Sequence, residues 1–357
     1  MDTRKQLIIL IVITASLGSF LTGYLLTHPS GQTSGAGQQQ GALLSRFTGI
    51  KPPEGSAAPD GLFKISADDS LSATNDGSSD GVLYYHRETG FVSRISIADQ
   101  KSTLVSDVGL PHLIGVIWSP DVKKVLGLYS SASGTLYKYF DYETHKTAEL
   151  GSDIAAAAFS PDSSSVALAK ISGDETDIIV ARPDGSDPRT ILKTRLRDLS
   201  LSWQSDELLS LMAGVSSTAS TLYTLGTDGA LVKILDSMPD LKIRWSPDAT
   251  ELLYSSTVDD RPGLRIHDMI SGTDQAVGVM ATADHCSWHL DGRSFVCVAE
   301  ENASSSIVRV LVSDLSLKTL AADLVFSPDD VFISHLQDFL VLTNRADHSI
   351  WAAPLSQ

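Results

Sequence analysis

The chain of 357 residues predicts an all-β fold: a seven-bladed propeller of four-stranded sheets, carried behind one N-terminal transmembrane helix and a flexible linker. Three observations carry this expectation. An aromatic residue recurs in one column at Trp118, Phe159, Trp203, Trp245, Trp288 and Phe332, with separations of 41, 44, 42, 43 and 44. A turn and an apolar strand follow each of them, and about 20 residues further on comes another strand, such as "TLYTLGTDG". A period of roughly 40 to 50 residues with four short strands per unit is that of a propeller blade. The composition, 42% hydrophobic and 20% charged, supplies enough apolar surface for a large core.

From the N-terminus, Arg4 and Lys5 precede a mostly apolar run from Leu7 to Leu26. About 20 such residues cross a hydrocarbon layer of roughly 30 Å as a helix. A cleaved signal peptide has a shorter apolar region and an Ala-x-Ala-like site, which "LLTHPSGQ" does not offer. Residues 7–26 therefore read as an uncleaved anchor. The basic residues hold 1–6 in the cytoplasm and export the rest to the periplasm or the cell exterior. Ala15, Ser19 and Gly23 have the small-xxx-small spacing that would permit weak dimerisation, although small residues of any span fall so by chance. Residues 27–61, rich in Gly, Gln, Ser and Pro, read as a disordered tether with a reach of roughly 30 to 35 Å. The propeller is expected over 62–357.

Within it, each unit is strand, turn, strand, loop, strand, polar turn and a short fourth strand such as "ALVKIL" or "RTILK". In "WSPD" and "FSPD" the proline presets φ and the aspartate bonds nearby backbone, so the motif makes a turn while its aromatic packs between blades. These residues are scaffold. Phe326, in a further "FSPD", falls too early for the period and reads as loop. Six aromatic-led units and "GVLYYHRETGFVSRISIADQKSTLVS", which supplies three strands of another, make seven blades, with six or eight as the alternatives. The last unit lacks a fourth strand, and "GLFKISADD" is expected to complete it and close the ring.

The segments "WSPDATELLYSS", "DIIVARPDGSDPRTIL" and "TLYTLGTDGALVKIL" resemble the repeats of the TolB-type, WD40-like propellers. That resemblance implies a propeller outside the cytoplasm and a binding role at the envelope, as in TolB, a periplasmic component that binds a peptidoglycan-associated lipoprotein. The pattern departs from that family in three ways: no α/β domain precedes the repeats, an anchor replaces the signal peptide, and the blade turns are degenerate. Similar repeats occur in prolyl-peptidase propellers, but no hydrolase domain follows Gln357.

Catalytic and metal motifs lack their context. Gly77-Ser78-Ser79-Asp80-Gly81 has the letters of a nucleophile elbow but precedes a strand instead of joining strand to helix. His285 and His289 are four apart, a zinc spacing on a helix, yet they lie in strand and turn. The stretch with Asp68, Asp69, Asp76 and Asp80 lacks the ligand order of a calcium loop and reads as a solvated loop. No catalytic residue, metal or cofactor is assigned. A net charge of -16 disfavours nucleic acid, because phosphate tracking needs clustered Lys and Arg.

Two function classes follow. The first is a membrane-tethered scaffold that binds a protein, peptide or glycan on one propeller face. The second is a propeller enzyme, a hydrolase or lyase of envelope glycans, with carboxylates at the central channel. Inner strands that end in Ser, Thr and Ala more often than in acids or His favour the first. The two cysteines, Cys286 and Cys297, flank an Asp291-Gly292 hairpin turn that sets them opposite one another. An exported compartment permits a disulfide between them, with a pair of buried thiols as the alternative.

Overall fold

The structure, a computed structural model, describes residues 61–355 except 133, 259–260, 302–303 and 325. The segments 1–6 and 7–26, with Ala15, Ser19 and Gly23, and the tether up to residue 60 lie outside the described residues. Among the described residues no helix is long and apolar enough to cross a membrane.

Seven antiparallel four-stranded sheets succeed one another along the chain. Blade 1 comprises Ser70–Asn75, Gly81–His86, Val92–Ser96 and Ser102–Leu104. Blade 2 comprises Leu113–Trp118, Lys124–Ser131, Gly134–Asp141 and Thr147–Gly151. Blade 3 comprises Ile154–Phe159, Val166–Ser172, Glu175–Ala181 and Arg189–Thr194, and blade 4 Leu199–Ser205, Leu208–Ala213, Ala219–Gly226 and Leu231–Pro239. Blade 5 comprises Lys242–Trp245, Glu251–Val258, Arg261–Asp268 and Asp274–Ala276, and blade 6 Cys286–Trp288, Ser294–Glu301, Ser304–Leu311 and Leu317–Leu324. Blade 7 takes Pro328–Ile333, Phe339–Asn344 and Ile350–Pro354, and its outermost strand is the N-terminal Phe63–Ser66. That strand pairs Phe63 with Ala352 and Lys64 with Trp351, so the first and last segments share one sheet.

Apolar cores lie between adjacent blades. Leu71, Tyr85 and Val92 of blade 1 meet Leu113, Val125 and Phe140 of blade 2. At the seam, Val341, Ile350 and Ala352 of blade 7 and Ile65 of the closing strand meet Ala73, Val82 and Tyr84 of blade 1. Leu62 is buried with residues of blades 6 and 7. The ring is therefore sealed by packing as well as by strand pairing, which leaves the first and last blades no open edge between them.

The repeated motif does the work its letters suggest. Ser119, Ser160 and Ser246 each donate a hydroxyl hydrogen bond to the aspartate two residues on, at 2.5, 2.6 and 2.7 Å. Each also accepts the N–H five residues on, which pins the next strand. Trp118 Nε1 donates to Ser72 O of blade 1 at 2.7 Å, and Trp288 Nε1 to Arg244 O of blade 5 at 3.3 Å. These indoles lean on the preceding blade. Trp203 and Trp245 occupy the same column, but their buried Nε1 atoms have no partner.

Two expectations change. Trp118, Phe159, Trp245 and Trp288 pair with the residue seven places on, and in blade 7 it is Ile333 that does so, with Leu340. Phe332 thus stands one residue out of the column; burial of Ile333 at 3% exposure, not aromaticity, set the register. The acidic stretch is not a loop throughout: Ser70–Asn75 is the innermost strand of blade 1. Asp76 is buried, accepts N–H bonds from Ser78 and Ser79, and pairs with Arg94 at 2.7 Å. The Ser-rich composition of that stretch hid a strand that pairs with Gly81–His86 and bonds to blades 2 and 7 through Ser72 and Asn75.

Candidate functional site: the mouth where the innermost strands begin

Each blade's first strand lines the central channel, and bulges disturb several of these strands near their starts. Register shifts fall between Leu71 and Thr74, Leu113 and Gly115, Ile154 and Ala156, and Pro328 and Asp330. A bulge re-aims the extra side chain, and here Ile114, Ala155 and Asp329 are exposed at the channel. Ser72, held at φ 52°, accepts Val116 N–H at 3.0 Å and thereby locks the bulge of blade 1 to blade 2.

Between blades 7, 1 and 2 this mouth encloses a cavity of about 220 Å³, lined by Ser70, Leu71, Ser72, Ala73, Arg87, Ile114, Gly115, Asp329, Asp330, Thr343 and His348. Asp69 accepts from Arg87 Nε and pairs with His348 Nδ1, both at 2.9 Å. Ser70 donates its hydroxyl to His348 O at 2.5 Å. On the far side, Arg345 approaches Asp329 at 3.8 Å, donates to Pro328 O at 3.2 Å and lies 3.5 Å from His285 Nε2. Arg244 donates to Asp284 O at 3.0 Å.

Asp330 opens to the channel on one side and is ringed by protein on the others. That enclosure pushes its carboxyl above the usual range, against the pull of Arg244 and the Val331 N–H, while Asp329 adds to the push. Thr343 is 7% exposed, and its Oγ1 has no partner. The charged groups of blades 5 to 7 thus face the apolar Ile114 and Ala155 of blades 2 and 3 across one mouth.

At the opposite mouth several polar groups are committed to turns, while the buried His289 Nε2 and Arg309 Nε have no partner. Asp80 accepts Leu336 N–H at 3.1 Å, and Gln337 accepts Leu290 N–H at 2.9 Å while it contacts His289 Nδ1 at 3.2 Å. Burial pushes the His289 imidazole down, and the charge of Arg309 adds to this. His285 and His289 therefore lie at opposite ends of one inner strand. Among the described residues no group of three His, Cys, Asp or Glu is placed to hold a metal. Ser79, the serine of the elbow-like motif, donates to Asp76 at 2.6 Å and accepts from Arg94 at 2.6 Å, in a bend between strands.

Cys286 and Cys297 are register partners with α-carbons 4.0 Å apart, and their sulfurs form a disulfide. It joins the first two strands of blade 6 below His285, and both residues are buried.

Sequence reasoning missed Asp329 and Asp330 because the early "FSPD" read as loop up to Phe332. The signal was the acidic pair directly before the apolar alternation of Val331 and Ile333.

No family model matches the chain, and no curated protein matches it. Among solved structures, an oligogalacturonate lyase from Vibrio parahaemolyticus is similar at 13% identity and TM-score 0.62, covering 83% of this chain and 94% of its own. Hydrazine synthase from Kuenenia stuttgartiensis is similar at 11% identity and TM-score 0.58, covering 86% and 99%. TolB from Acinetobacter baumannii reaches 13% identity and a TM-score of 0.42, covering 80% and 79%. At these identities the likeness of the first two is one of fold, and by its own sheets the chain is a seven-bladed β-propeller.

Proposed function

We propose that this protein is a binding module held at the outer side of a membrane by residues 7–26, and that it takes its protein, peptide or glycan ligand at the mouth where the innermost strands begin. The observation that supports this is the cavity between blades 7, 1 and 2, where bulged innermost strands present Ile114 and Asp329 and the buried Thr343 hydroxyl has no partner. Binding sites typically combine such concavity with a few convergent polar groups. Ile114 lines the cavity and is exposed, so Ile114→Trp obstructs it without entering the core. Capture of partners from native membranes by the full chain should fail for Ile114→Trp and persist for Leu290→Arg on the opposite face. The reverse pattern would place binding on the other face and defeat this reading.

A second reading, an enzyme acting on envelope glycans, draws on Asp330. A carboxyl with a raised pKa can act as a general acid, and His348, oriented by Asp69 in the same cavity, supplies a base. This reading predicts release of new sugar ends from isolated envelope glycan, abolished by Asp330→Asn; binding alone predicts none.

A further inference from the structure

We infer that the cavity between blades 7, 1 and 2 is a subsite for a cationic group, the ammonium or guanidinium of a basic peptide side chain or of a free amine. The inference rests on the reading of this mouth as the binding surface and names the chemistry it selects.

Asp330 and Thr343 are direct cross-strand partners in blade 7, so their side chains stand on one face of its sheet. Val341, two residues before Thr343 and on that same face, packs into the core shared with blade 1. The pair therefore faces the cavity. The Thr343 hydroxyl is more than nine-tenths buried and makes no hydrogen bond. A buried polar group without a partner is costly, and a ligand that donates to it would remove that cost.

The donors that line the cavity or its rim are engaged elsewhere: Arg87 and His348 are held by Asp69, and Arg345 by Asp329 and Pro328 O. Arg244 donates to Asp284 O and pulls on Asp330 through its charge without bonding it. The Asp330 carboxylate receives the Val331 N–H at 2.9 Å. What remains open in the cavity is an excess of acceptors, the Asp330 carboxylate without an ion-pair partner and the Thr343 hydroxyl, the complement of an N–H-rich cation. A volume of about 220 Å³ admits the end of a lysine or arginine side chain, and no Phe, Tyr or Trp lines it to stack against a sugar. At longer range, a net charge of -16 draws cations toward the molecule.

Calorimetry on the full chain in detergent tests this with four probes: N-acetyl-lysine methylamide, spermidine, the neutral isostere N-acetyl-norleucine methylamide, and N-acetyl-glutamate methylamide. The cationic probes should bind and the other two should not. Asp330→Asn should weaken that binding on the order of tenfold or more, the scale of a charge-assisted hydrogen bond. The near-isosteric Thr343→Val should weaken it by a smaller factor with an unchanged melt, which separates loss of contact from loss of fold. Tighter binding of the lysine amide identifies a peptide source, and tighter binding of spermidine a free amine. Equal binding of the norleucine probe, no binding of any probe, or an unchanged affinity in Asp330→Asn overturns the inference. If the glutamate probe binds and Ile114→Trp abolishes it, the mouth stands as a binding site and only the cationic class falls. Partner capture that survives Ile114→Trp removes the mouth itself.

Discussion

Asp162 shows how much a single turn residue of the repeat carries. Its carboxylate accepts from Ser160 Oγ at 2.6 Å, from Ser164 Oγ at 2.7 Å and from Ser164 N–H at 3.0 Å. These bonds, that of Ser160 first, lower its pKa from 3.8 to about 2. A carboxyl lowered on folding stabilises the native state above its unfolded pKa, and that contribution is lost as pH falls through the folded value. Asp162 is exposed, so water screens most of the effect, to less than about 1 kcal/mol. Asp162→Asn keeps an acceptor and removes the titration. Its urea midpoint should lie slightly below that of the parent at pH 7 and coincide with it near pH 2; an equal gap at both values would show that charge is not involved. The motif "FSPD" made this turn legible in the sequence. The identical letters at Phe326 misled, because Pro328 there begins a strand.

At the scale of elements, the closing strand and the hairpin of blade 6 were both legible. "GLFKISADD" was the one strand-like segment left over when the last unit lacked its outermost strand, and Phe63–Ser66 takes that place. Removing residues 61–66 would expose the outer edge of blade 7 and strip Ile65 and Leu62 from their cores. Burying one such side chain contributes about 1.5 to 3 kcal/mol. The melting temperature of that deletion should fall by many degrees, and an unchanged melt would show that the ring closes without it. In blade 6 the Asp291-Gly292 turn sets Cys286 opposite Cys297. Non-reducing peptide mapping should recover the two cysteines in one linked pair, and reduction should cost at most roughly 3 kcal/mol for so short a loop. Two alkylatable thiols would contradict the bridge. The innermost strand of blade 1 was not legible, since "SLSATN" lacks the aromatic of its counterparts and offers only Leu71 and Ala73 as apolar residues. Its place is set by Ser72 and Asn75, which bond to blades 2 and 7.

For the whole molecule, the reading proposed above puts the closing strand directly after the tether, so the propeller hangs from the membrane by the segment that seals it. Mass spectrometry of protein extracted from membranes should then recover an intact N-terminus including residues 7–26, and protease added to cells stripped of any outer membrane should digest the propeller; a mature chain that begins between 27 and 61 would refute the anchor. The sequence by itself determined the kind of blade, the turn that repeats in each, the strand that closes the ring and the hairpin that sets the cysteines opposite one another, while the count of seven over six or eight was left to the structure. Each of these follows from local chemistry repeated at a period: an aromatic, a proline-preset turn, alternating burial. Tertiary structure alone decided the candidate site. Asp330 and Thr343 are 13 residues apart and become partners only through the register of blade 7, and Asp69, Arg87 and His348 meet only because the ring closes. A period reports what every blade shares, whereas a binding site is built where the blades differ, from side chains that the closed ring brings together.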